Sequence, residues 1–132
     1  MALTLEIVTP ERRVAQVSCD EIIAPGAAGS FGIRAAHTAF MSTLEPGQLT
    51  VITGGREELY AVSGGFLQVD RDRVLLLAES AEPREEIDVE RARRALADAT
   101  ERLRSLDQND PTHAAEAARV RRAAARIKVG SK

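Results

Sequence analysis

In the stretch EEIDVERARRALADATERL, residues 85–103, a single helical turn holds Ile87, Asp88, Arg91 and Ala92. Asp88 stands where a helix start needs an acceptor for its free amides. Arg91 offers a planar, permanently charged fork suited to carboxylate or phosphate. The turn therefore reads either as a capped helix start or as part of an anion site. His37 is a second candidate, as a general base with Ser30 and Asp20 near it in sequence. A hydrolase also needs an activated nucleophile, an orienting acid and an oxyanion hole, and no residue recognisably activates Ser30. His37 reads better as a surface or interface histidine. With His113 far away and Cys19 the lone cysteine, no metal site follows from spacing. Gly26, Gly29 and Gly32 lack the Lys-Ser/Thr pair and the following helix of a phosphate loop, so they read as glycines joining strands. No catalytic residue and no metal ligand is expected.

Two kinds of element must position these residues. From Leu3 to Glu79 the pattern is strand-like. Leu3, Leu5 and Ile7 alternate with Thr4 and Glu6, and EIIAP and FMSTL are short apolar runs. QLTVIT and ELYAVS flank Gly54-Gly55, the signature of a two-residue hairpin. FLQV and VLLLAES flank a second turn at residues 70–73, and Gly64-Gly65 reads as a bulge or tight bend. Short strands at this spacing predict an all-β sandwich or barrel.

After Pro83 the period changes. Val89, Ala92, Leu96, Ala99, Leu103 and Leu106 mark one face of a helix capped by Asp88. DQNDP breaks it. Asp110 can cap a second helix with Pro111 at its first position, a stripe at Ala114, Ala117, Val120, Ala124 and Ile127, and Gly130 at its end. The expected fold is α+β, an N-terminal sandwich (1–82) followed by an antiparallel two-helix hairpin (83–132). Eleven alanines lie in these helices. Alanine favours helix but buries little area, so the hairpin should form readily and pack weakly.

Charge and composition exclude several classes. The net charge of −2 rules out a generally basic nucleic-acid footprint. No apolar run approaches the roughly 18 residues that span a bilayer, and no signal-peptide pattern opens the chain. One cysteine allows no internal disulfide. Charge is segregated. Residues 111–132 carry six cations against Glu116 alone, a balance of +5, while residues 79–110 carry ten acids and six arginines, a balance of −4. A basic last helix suits either self-neutralisation or docking on an acidic protein surface.

GSFGIRAAHTAFMSTLEPGQLTV (29–51), AVSGGFLQV (61–69) and IDVERARRAL (87–96) resemble the epsilon subunit family of the F-type ATP synthases of bacteria and chloroplasts. The resemblance covers nearly the whole chain. The family usually has prolines around its histidine, in a Pro-Gly-His-Ala-Pro pattern, where this chain has Ala35-Ala36-His37-Thr38-Ala39. The resemblance implies a sandwich that binds the gamma subunit and the membrane ring of c subunits, with Ser30 to His37 facing the ring. It implies a non-catalytic role in coupling rotation to proton transport and ATP synthesis, peripheral at the cytoplasmic face of the cell membrane. It also implies that the extended hairpin blocks ATP hydrolysis, with Arg119, Arg121, Arg122 and Arg126 meeting the alpha/beta catalytic hexamer.

No obligatory cofactor is implied. Some members bind ATP as a regulatory ligand, through a motif matched here by Ile87, Asp88, Arg91 and Ala92, preceded by Glu82 and completed by second-helix arginines, for which Arg122 and Arg126 are the candidates. Two rival readings are a stand-alone ATP-sensing module and a small β-sandwich enzyme using His37.

Overall fold

The computed structural model describes residues 2–36 and 39–132. His37 therefore lies outside the described residues. Eight strands come first: β1 (Leu3–Val8), β2 (Arg13–Cys19), β3 (Glu21–Gly26), β4 (Gly29–Arg34), β5 (Phe40–Thr53), β6 (Arg56–Asp70), β7 (Arg73–Ala78) and β8 (Ala81–Pro83). A 3-10 turn, Arg84–Glu86, leads to α1 (Val89–Arg104) and α2 (His113–Gly130).

The strands pair in the order β2-β1-β7-β6-β5-β3-β4, with β8 also on β6. All pairs are antiparallel except β1 with β7. The two expected turns form as read. Thr53 pairs with Arg56 across Gly54-Gly55, both at positive φ, and Asp70 pairs with Arg73. Gly26, Gly29 and Gly32 belong to the β3–β4 hairpin.

The sheet becomes a sandwich by folding over along its two long strands. In β6 the inward residues are Tyr60 and Val62 before Gly64-Gly65, and Leu67 and Val69 after it, so the inward phase shifts by one residue. In β5 the phase shifts between Leu44 and Leu49, across Pro46-Gly47. Pro46 pairs with Ser63 and Leu44 with Gly65, so the two kinks lie side by side and make one fold line. Gly65 (φ +151) admits no side chain: a Cβ there would lie 2.1 Å from the Leu77 carbonyl oxygen. The main core, enclosed between the folded halves, draws on every strand, with Leu3, Leu5, Ile7, Ile22, Ile33, Leu49, Leu67 and Leu76 fully buried. Cys19 lies in this core, where burial and the neighbouring Asp20 push its thiol pKa up.

The helices form the expected hairpin, folded down on the sandwich. On α1, Ala92 and Ala99 are buried and Val89, Leu96 and Leu103 half-buried, as the spacing predicts, while Leu106, also half-buried, lies beyond the helix end at Arg104. On α2 the expected stripe is corrected. Ala114 and Ala124 are exposed, and the buried residues are Ala123, Ala125 and Val129. The physical reason is that α2 packs on α1 with one side and on β5 and β6 with another, so two faces are covered and no single 3–4 stripe describes it. Its start also falls later than expected. Asp110 accepts from the Thr112 amide at 2.8 Å and the Thr112 hydroxyl at 2.6 Å, and the helix begins at His113.

Candidate functional site

Asp88 ends the extended segment after the 3-10 turn and caps α1, accepting from the Arg91 amide at 3.0 Å. Its side chain thus fixes the first turn, from which Arg91 and Ala92 project. Facing that turn, β8 contributes Glu82 and α2 contributes Arg126, with Arg126 Nε 2.6 Å from Glu82 Oε1. The contact is ionic, without hydrogen-bond alignment. A cavity of about 170 Å³ is lined by Glu82, Glu86, Asp88, Arg91, Ala92 and Arg126. Five of the seven candidate ATP-site residues therefore meet around one space. Ile87 does not line it. Its side chain packs instead on Leu59, Ala61 and Val129.

Arg122 belongs to an adjoining groove of about 320 Å³ between the helices, lined by Ala95, Asp98, Ala99, Arg102, Arg119, Arg122, Ala123 and Arg126. Arg126 is common to both spaces. The first is lined by three carboxylates against two arginines, the second by one carboxylate against four arginines. The pair therefore forms a polarised cleft. Its arginine end suits a polyphosphate, which guanidinium groups bind bidentately. Its carboxylate end suits hydroxyl and amine donors. Asp98 and Arg102 were not among the sequence candidates, yet the signal was present: Arg91, Ala95, Asp98 and Arg102 follow the 4-3-4 spacing of one helix face. Arg121 is exposed on α2 and lines neither space.

A second surface lies on the sandwich, on the sheet face that no helix covers. Register aligns Val8, Leu77, Phe66 and Thr43 across β1, β7, β6 and β5, and beside them Glu6, Leu75, Gln68 and Met41. Met41 (61% exposed) and Leu77 (44%) are the exposed large hydrophobic residues among those described, and both lie in these two rows. A cavity of about 350 Å³ runs beside Leu77, lined also by Val8, Pro10, Gly65 and Ala78. Five apolar side chains, Val8, Phe66, Leu75, Leu77 and Met41, thus lie together with Thr43, Glu6 and Gln68 on an uncovered face, a mixed surface suited to docking a protein. Ser30, expected to face a rotor ring, is exposed on β4. Ala36, which precedes His37 in sequence, is held from the β6–β7 turn, where Asp72 Oδ1 accepts from its amide at 2.9 Å.

A β-sandwich with one face left uncovered, joined to a two-helix hairpin with a charged cleft, is the architecture of a subunit of a larger assembly. The chain belongs to the ATP synthase delta/epsilon chain family: the family's beta-sandwich domain matches residues 2–84 and its long alpha-helix domain residues 85–130. It is 60% identical over 132 residues to the ATP synthase epsilon chain of Anaeromyxobacter sp. (strain Fw109-5), covering all of both chains. To that of Myxococcus xanthus (strain DK1622) it is 54% identical over 125 residues, covering 95% of this chain and 92% of the relative. Among solved structures, it is similar to a chain of the Euglena gracilis mitochondrial ATP synthase OSCP/F1/c-ring assembly, with TM-score 0.83, 25% identity, and 99% and 82% of the two chains covered. A chain of the Tetrahymena thermophila mitochondrial ATP synthase central stalk/c-ring shares the fold, with TM-score 0.68, 16% identity, and 98% and 97% covered.

Proposed function

We propose that the chain is a non-catalytic central-stalk subunit of an F-type ATP synthase, which couples shaft rotation to proton transport and ATP synthesis and restrains ATP hydrolysis through its hairpin. The observation that carries this is the division of labour in the fold. One sandwich face exposes Met41 and Leu77, while the hairpin lies on another face, where it buries only a small apolar cluster. The gamma subunit is the partner proposed for the open face, and the c ring for the surface around Ser30 and His37. Arg119, Arg121, Arg122 and Arg126 are proposed to meet the alpha/beta hexamer when the hairpin extends. Among the described residues no helix is long and apolar enough to cross a membrane, so association with the cytoplasmic face of the cell membrane runs through the partners in this reading. Co-purification with gamma and the hexamer at micromolar concentration tests it; a chain that forms no such complex sinks it.

ATP is proposed as a regulatory ligand of the polarised cleft, its phosphates at Arg122 and Arg126 and its hydroxyl and amine groups toward Glu82, Glu86 and Asp88. Arg91, on the turn capped by Asp88, lines the carboxylate end, and Arg126 is common to both ends. Titration of the isolated chain with ATP, beside Asp88→Ala and Arg91→Ala, decides this. Absence of binding in the wild type, or equal binding in all three, removes the site.

A further inference from the structure

The contacts that hold the hairpin against the sandwich are unevenly spread. α1 packs chiefly on α2, and α2 is the helix that lies on β5 and β6. Among the described residues, Val129 is the only α2 side chain larger than alanine that is buried, at 0% exposure. It joins Leu59, Ala61 and Ile87 in an apolar cluster separate from the main core. The next residue, Gly130, lies so close to the base of α1 that a Cβ would stand 2.7 Å from Val89 Cγ2 and 3.0 Å from Ile87 Cγ2. One turn back, Arg126 makes the only helix-to-strand ion pair among the described residues, with Glu82 of β8.

Beside this cluster the same sheet face carries the half-buried Ile23 and Ile52 and also polar side chains. Gln48 pairs with Ala61 and Thr50 with Leu59, so all four side chains share the face on which α2 lies. Gln48 Nε2 donates to Thr50 Oγ1 at 3.0 Å, while Gln48 Oε1 is buried with no donor. A buried acceptor without a donor opposes docking, because the undocked state returns it to water. Docking is therefore favoured at one end of α2 and opposed beside it.

We propose that the last turn of α2, residues 126–130, is a latch that fastens the hairpin next to its own hinge at residues 84–88, and that release is decided there and not along the hairpin's length. Gly130 lets the latch close, Val129 is its apolar plug, and the Arg126–Glu82 pair is its charged catch. The tip, around Leu106 and Asp110, is free of this constraint. The consequence for hydrolysis rests on the function proposed above, but the latch itself is a property of the isolated chain.

Double electron–electron resonance on the full chain, without partners or nucleotide, tests it. Spin labels go on Ala124→Cys and Gln68→Cys, both exposed; Cys19, 1% exposed, stays unlabelled. The wild type gives a dominant short distance. Val129→Ser and Gly130→Leu each shift the docked-to-undocked ratio by about tenfold or more, the scale set by burying one valine side chain. Leu106→Ser at the tip leaves the ratio unchanged, and helix content by circular dichroism stays constant throughout. The latch is overturned if both latch variants keep the wild-type distances, if Leu106→Ser releases the hairpin as fully, or if release comes only with loss of helix. Because no ATP synthase partner is present, such a failure leaves the proposed stalk function standing, and failure to bind gamma leaves the latch standing.

Discussion

Two truncations that differ by six residues should behave very differently. A stop after Glu86 removes the hairpin and keeps all eight strands. It uncovers Leu59 and Ala61, now 7% and 4% exposed, and leaves the main core closed. Uncovering one leucine and one alanine costs about 2–3 kcal/mol. A domain with about 5–15 kcal/mol of stability survives that loss. A stop after Ser80 removes β8 as well. Ala81 leaves the core, and Tyr60, Ala61 and Val62 lose their pairing with Pro83, Glu82 and Ala81. We expect a further cost of about 3–5 kcal/mol, enough to unfold a marginal domain. Urea unfolding followed by circular dichroism ranks the two chains. Steady-state hydrolysis by the gamma-containing hexamer, with each chain added, then reads function. The shorter cut should give a weak or unfolded chain, and the stop after Glu86 a folded one that binds but no longer inhibits. Equal stability of the two truncations would refute the placing of β8 in the sandwich. Inhibition by the chain ending at Glu86 equal to that by the full chain would refute the role given to the hairpin.

Other consequences are simpler to check. Gly65→Ala must push the β7 backbone away from a Cβ 2.1 Å from the Leu77 oxygen, so it should cost about 3 kcal/mol or more in urea titration, while Gly55→Ala, with open space around its Cβ, should cost less. Asp88→Ala removes the cap and should cost about 1 kcal/mol, with faster amide exchange at Arg91; unchanged exchange there would show the cap to be idle. The Asp110 carboxyl is held below its ordinary pKa by hydrogen bonds from the Thr112 hydroxyl and amide. Its folded value thus lies under its unfolded one, so the contribution is present at neutral pH and is lost as pH falls below about 4. Protection of the Thr112 amide, relative to its intrinsic exchange rate at each pH, should fall in that window, and Asp110→Ala should remove that protection already at neutral pH.

Much of this was legible in the residues, for identifiable reasons. The strands and the turns at Gly54-Gly55 and residues 70–73 showed because alternation and turn chemistry are local. α1 was read correctly because only one of its faces is covered. α2 was not, because it is packed on two sides, and two partly buried faces erase a single period. Gly130 read as a helix stop, whereas its importance is the approach of Ile87 and Val89, a contact between residues some forty positions apart. Gly64-Gly65 read as a bend, but that it lies beside Pro46-Gly47 and forms one fold line depends on register. The cleft was half visible: the first-turn motif was found by its residues, while Asp98 and Arg102 needed the helix face followed two turns further. Ile87 was counted with the ligand residues because of its place in the motif, and its packing partners come from β6 and the end of α2.

The central claim is that the position of the hairpin governs hydrolysis. The most direct measurement is the ATP hydrolysis rate of the gamma-containing hexamer with the full chain, with Val129→Ser, and with the chain ending at Glu86. If the docked hairpin is the permissive state, Val129→Ser should lower the rate below that with the full chain, and the truncated chain should raise it above. Equal rates for all three, or a Val129→Ser chain that behaves like the truncated one, would contradict the account.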